Sequence, residues 1–191
     1  FLEAIDKVLL GEKINNYANT EILNRVAIHE AGHALITEIV QPNSVSHVTV
    51  NSRGEALGYV RQIPDEKKLY TESELRNQIK ICLAGALAEK IFLGDKSTGA
   101  SNDFKQALKY GKIIIDSGLS PLGIVSLEDL SGSVINSTIQ EIIQKEEKIV
   151  TKLLAENKNT LQEITHILKD KEKVSGEEIR RIMKKNAIIS G

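Results

Sequence analysis

His29, Glu30 and His33 spell H-E-x-x-H. On an α-helix, residues four apart lie one above the other on a single face. Both imidazoles can then reach one metal ion, with Glu30 beside it. Zinc is the usual occupant of such a site, held by three protein ligands with one position left for water. It lowers the pKa of that water to roughly 7, and a glutamate can take the proton. This is the chemistry of a metal-dependent peptide hydrolase. An ordinary buried helix can carry the same five letters by chance. The surroundings argue for a site: Val26, Ala27, Ala31, Ala34, Leu35, Ile36 and Ile39 make the segment apolar. Two imidazoles and a carboxylate are costly there unless paired or bound to metal. Gly32 sits mid-helix, at a cost of about 1 kcal/mol relative to Ala. It admits a close neighbour, which is either substrate or a second helix.

The elements that must position these groups follow from periodicity and punctuation. Apolar residues at helical spacing predict a first helix over 1–10, ending at Gly11. Thr20 and Glu21 open the helix that carries the motif to about Val40, and Pro42 and Asn43 stop it. VSHVTV and YVRQI alternate and flank a turn, which predicts a β-hairpin with strands at about 45–51 and 57–63. It is the only β structure the sequence predicts, and its open edge could take an extended substrate as an added strand. Thr71 with Glu74 forms a capping-box pattern for a helix over about 72–92. Ser101 or Asn102 is expected to cap a helix from Asp103 to about Ser117. Residues 118–138 read as irregular. Amphipathic helices are expected over about 137–157 and 160–168, and a last one from Ser175, with residues 186–191 as a disordered tail.

Four further side chains need a reading. Glu89 lies among apolar neighbours and either orients a metal-binding histidine or sits on a solvated face. Asp103 is either a first-turn acid favoured by the helix dipole or a third metal ligand, and local spacing does not decide. His47, in a strand, reads as a surface or packing residue rather than a further ligand, and Cys82, in its apolar helix, as a core residue.

The chain has 191 residues, 41% hydrophobic and 27% charged, enough for one sizeable core. A net charge of −1 gives no field to favour nucleic acid or an anionic membrane. A single cysteine excludes an intrachain disulfide and a thiolate-built zinc site. No apolar run reaches ~18 residues, so no membrane span is predicted. No G-x-x-x-x-G-K-[ST] occurs, so no phosphate loop of that type is expected.

Four segments together resemble the peptidase domain of FtsH-type AAA proteases, which are membrane-anchored, ATP-dependent zinc metalloproteases. They are AIHEAGHAL (27–35), RGEALGY (53–59), LAGALAEKIFLG (83–94) and STGASNDFKQAL (97–108). The resemblance covers essentially the whole chain. FLEAIDKVLLG is similar to the segment joining the ATPase and peptidase domains, and SGEEIRRIM to the closing helix.

The resemblance implies a mainly α, zincin-like peptidase domain with a small β-hairpin or edge strand beside the active-site cleft. It implies one Zn²⁺ per chain, held by His29, His33 and Asp103, with Glu30 as general base and Glu89 supporting the site from behind. The hairpin would align the substrate polypeptide, with Val48, Val50 and Gly58 as expected contacts. Residues 1–19 would be the junction with an ATPase domain, and residues 20–185 the peptidase domain. ATP would be used by the missing ATPase domain and not bound by this chain. The full-length protein would be a homo-hexamer in the bacterial inner membrane, with this domain on the cytoplasmic side and its anchor in segments not present. The chain itself is expected to be a soluble, excised piece acting on unfolded polypeptides. Ile28 stands where the family usually has an aromatic, and Ala84 and Ala86 where it often has Gly and Arg. The competing expectation is a non-catalytic, ring-forming or adaptor module on the same fold.

Overall fold

The computed structural model describes residues 13–14, 20–53, 57–63 and 69–189. The helix expected over 1–10 lies outside them. A two-residue strand β1 (Lys13–Ile14) pairs antiparallel with β3 (Ser52–Arg53).

Helix α1 (Thr20–Val40) is the centre of the fold. Every residue from Val26 to Glu38 is buried. A helix apolar on all sides must be covered on all sides. Helices α2 (Glu72–Leu93) and α5 (Lys158–Lys171) provide most of that cover. The approach of α2 is close: a Cβ on Gly32 would lie 2.7 Å from Ala88 Cβ and 2.8 Å from the Ala84 carbonyl. Helix–helix packing is thus what Gly32 permits.

The Thr71–Glu74 capping box opens α2 with both reciprocal bonds present. Helix α3 (Ser101–Asp116) is entered through a single 3₁₀ turn, Thr98–Ala100. The cap of this entry is Ser97, which accepts from the Gly99 N–H at 3.3 Å. Neither Ser101 nor Asn102 caps it: Ser101 Oγ donates back to the Thr98 carbonyl at 2.7 Å.

Helix α4 (Gly132–Glu156) starts five residues before the expected position, because Ser131, within the Ser/Gly cluster, accepts from Val134 N–H and caps it. Arg76 of α2 bonds the buried Glu146 of α4 at 2.9 Å. Helix α6 (Gly176–Ile189) closes the chain. Residues 186–189, expected in a disordered tail, are helical. Asn186 Nδ2 donates to Glu163 Oε2 of α5 at 3.2 Å and ties the end of α6 down.

The hairpin forms from β2 (Val45–Thr49) and β4 (Tyr59–Gln62), each shorter than expected. A further strand, β5 (Lys173–Ser175), pairs antiparallel with β2 on its other side, so the sheet order is β4-β2-β5. Strand β2 is therefore the central strand. The turn from α1 into β2 is held by the buried Glu38, whose carboxylate accepts from Asn43 and Val45 N–H at 2.9 Å each and from Arg180 of α6 at 2.8 Å. The sheet and the closing helix are thereby fastened to the end of the helix that carries H-E-x-x-H.

Candidate metal centre

His29 and His33 stand one turn apart on the same face of α1. Their Nε2 atoms are 3.0 Å apart. Asp103, in the first turn of α3, brings Oδ2 to 3.2 Å from His29 Nε2 and 3.4 Å from His33 Nε2. Each far nitrogen is committed elsewhere. His33 Nδ1 donates to the Ile81 carbonyl at 2.8 Å, since that oxygen can only accept. His29 Nδ1 donates to Glu89 Oε1 at 2.7 Å. The outer partners thus direct the Nε2 side of both rings toward Asp103.

Three electron-rich atoms so close need a shared proton or a metal cation among them. Bond lengths of about 2.0–2.1 Å around tetrahedral zinc place neighbouring ligands roughly 3.3 Å apart. The observed separations of 3.0, 3.2 and 3.4 Å match that spacing. The residues present therefore fit a zinc ion.

The electrostatics agree. Burial alone would lower His29, but its hydrogen bonds to Asp103 and Glu89, with Glu30 close by, outweigh it and raise the imidazole to about 10. Asp103 moves the other way. Burial would raise it, but the two histidines hold it well below the ordinary carboxylate range. Glu30 is almost fully buried, and that burial raises its pKa against the opposing pull of His33 and His29.

Glu89 is 1% exposed, so its carboxylate faces the interior. Besides His29 it accepts from Arg25 Nη1 at 2.7 Å and Ser97 Oγ at 3.1 Å. Burial would raise its pKa, but these three bonds lower it, so it remains a carboxylate.

Gly58 sits beside Glu30. A Cβ there would lie 2.8 Å from Glu30 Cγ and 2.9 Å from the Thr49 carbonyl. Val48 and Val50 differ from the expectation. Both are fully buried, and β2 is bonded on both sides: Val48 pairs with Val60 and Val174, and Val50 N–H donates to the Glu172 carbonyl. Their side chains belong to the core, and an extended chain has no edge to join there. The outer strands of this sheet are β4 and β5, and it is β4 that Gly58 leads into beside Glu30.

His47 is buried in β2 with its ring edge-on to Tyr59, and His166 is exposed, 3.4 Å from Asp170. Burial pushes the Cys82 thiol up to about 12, which leaves it protonated and unreactive.

Three contributors are not singled out by the sequence reading: Arg25, Gly85 and Ser97. A Cβ on Gly85 would clash with the His29 ring, so α2 presents bare backbone to that imidazole. A signal exists for two of them. Arg25 lies four residues before His29, and Gly85 four before Glu89, each on the same helix face as its successor.

Known sequences bear on this arrangement. The family model described as "Peptidase family M41" matches residues 17–182. "ATP-dependent zinc metalloprotease FtsH 2" of Thermoanaerobacter sp. (strain X514) is 37% identical over 188 residues, which cover 95% of this chain and 37% of the relative. "ATP-dependent zinc metalloprotease FtsH" of Methylococcus capsulatus is 34% identical over 212 residues, covering 98% of this chain and 33% of the relative. The chain thus spans about a third of the length of these curated relatives. A family match running through H-E-x-x-H, Glu89 and Asp103 and on into the closing helix leaves one assignment: the chain belongs to peptidase family M41.

Proposed function

We propose that this chain is a zinc-dependent endopeptidase unit, the proteolytic part of an FtsH-type ATP-dependent protease. The observation that carries the reading is the convergence of His29 Nε2, His33 Nε2 and Asp103 Oδ2 within 3.4 Å of one another, with Glu30 adjacent in sequence and buried. His29, His33 and Asp103 hold the ion. Zinc bound there would supply a water of pKa about 7 and a polarised scissile carbonyl. Glu30, as carboxylate, takes a proton from the attacking water and delivers it to the leaving amine nitrogen as the C–N bond breaks. Its raised pKa moves it toward the working pH, where a base that must also return its proton is most effective.

The substrate is an unfolded polypeptide. It lies extended beside the hairpin, so backbone bonds rather than side-chain pockets align it. Gly58, immediately before β4, brings the hairpin against Glu30. ATP hydrolysis, membrane attachment and assembly into a homo-hexamer belong in this reading to segments of the longer protein. The same holds for a place at the cytoplasmic face of a bacterial inner membrane. No helix among the described residues is long and apolar enough to cross a membrane.

Casein hydrolysis and zinc content, measured together on wild type and Glu30→Gln, test this. The variant should keep its zinc and lose hydrolysis by at least about a hundredfold. Full hydrolysis by zinc-loaded Glu30→Gln would refute the assignment of the base.

A further inference from the structure

Arg25 stands one turn before His29 on the face of α1 that carries both imidazoles. Its guanidinium reaches two other elements. Nη1 donates to Glu89 Oε2 in α2 at 2.7 Å, and Nη2 to Asp95 Oδ1 at 2.9 Å. Nη1 also lies 3.4 Å from the Asp95 carbonyl. Asp95 begins the short connection that runs through Ser97 and the 3₁₀ turn into α3, where Asp103 stands in the first turn.

We infer that Arg25 is a positioning residue for the metal centre, fixing His29 through Glu89 and Asp103 through the Asp95–Ser97 connection. The inference rests on the metal centre proposed above.

The Glu89 carboxylate has two oxygens with distinct partners. Oε1 accepts from His29 Nδ1 and Ser97, while Arg25 holds Oε2. Without a partner on Oε2 the group can turn about its last side-chain bond and carry Oε1 away from His29. Glu89 is also 1% exposed, and a buried carboxylate needs a paired charge to remain ionised. Arg25 supplies the charge and fixes the carboxylate plane.

The second arm acts differently. Asp95 has a side chain 71% exposed, so its pair with Arg25 adds little energy. It adds geometry, because the planar guanidinium carries its N–H groups at fixed spacing. Glu89 and the start of the α3 connection are thereby held in one frame, to which Ser97 Oγ adds a third point. A lysine could meet Glu89 with its single ammonium but could not set this spacing.

Zinc affinity, by competition with a chromogenic chelator, and the visible absorption of the cobalt(II) form test this in wild type, Arg25→Met, Arg25→Lys and Asp95→Ala. Thermal unfolding is followed alongside. Arg25→Met should bind zinc about tenfold more weakly, with an altered cobalt spectrum. Arg25→Lys should recover part of that loss, and Asp95→Ala, which removes the acceptor, should weaken binding by about threefold. Wild-type affinity and spectrum in Arg25→Met would overturn the inference even if its unfolding temperature fell, because Arg25 would then only brace the helices. If Arg25→Met does not fold, wild-type behaviour of both Arg25→Lys and Asp95→Ala overturns it. Absence of zinc binding by the wild type removes the metal centre itself, an outcome distinct from loss of the Arg25 effect alone.

Discussion

His29 Nδ1 lies 2.7 Å from Glu89 Oε1, joining two helices across 60 positions of sequence. That bond selects the nitrogen of His29 that faces Asp103 and holds the ring in its plane. Partners of this kind typically contribute 10- to 100-fold to metal affinity. Glu89→Ala should therefore weaken zinc binding by about 1.4–2.7 kcal/mol, measured by chelator competition. An affinity unchanged within twofold would show that His29 is oriented by its packing against Gly85 alone.

Gly58 makes a separate prediction. A methyl group there meets Glu30 Cγ at 2.8 Å and the Thr49 carbonyl at 2.9 Å, so either β4 or Glu30 must move. A displacement of about 1 Å at a catalytic group can cost on the order of a hundredfold in rate. Gly58→Ala should thus retain zinc while kcat for a flexible peptide falls by roughly ten- to a hundredfold. Wild-type kcat would mean that the sheet yields without disturbing the base.

Zinc uptake should be coupled to pH. His29 is raised to about 10, so near neutrality it carries a proton that must leave before its Nε2 can bind metal. About one proton should be released per zinc at pH 7, and apparent affinity should rise as pH rises toward 10. Calorimetry in buffers of different ionisation enthalpy counts that proton. The chelated protein should show the matching trend in stability. With the folded value above the ordinary 6.5, the His29 contribution is fully present below pH 6.5 and is lost as pH rises through about 10. Unfolding temperatures of chelated protein that climb over this interval would contradict it.

The parts of the fold legible in sequence are those with local causes. Helix α1 is bounded by Thr20 and the Pro42–Asn43 stop, and α2 by a capping box whose two partners are three residues apart. Strand β5 is not legible, because three residues inside a charged stretch form a strand only by pairing with β2. Alternation places Val48 and Val50 on one face of a strand, but it does not reveal that β2 is flanked on both sides and that this face is core. The early start of α4 is a matter of one serine within a Ser/Gly cluster, which reads equally as loop or as cap. At the site, the i,i+4 histidines are visible from spacing alone. The pairing of Arg25 with Glu89 and Asp95, 64 and 70 positions away, is set by how α1 and α2 pack, and no local pattern encodes it. Asp103 is similar: its own neighbourhood reads equally as a first-turn acid or a ligand, and only the resemblance carried by STGASND favours the ligand.

Elemental analysis of zinc in wild type and Asp103→Ala, purified identically and reconstituted at neutral pH, tests the central claim most directly. The three-ligand centre predicts about one zinc per wild-type chain and a clear deficit in the variant. No zinc in the wild type, or a full complement in Asp103→Ala, would contradict it.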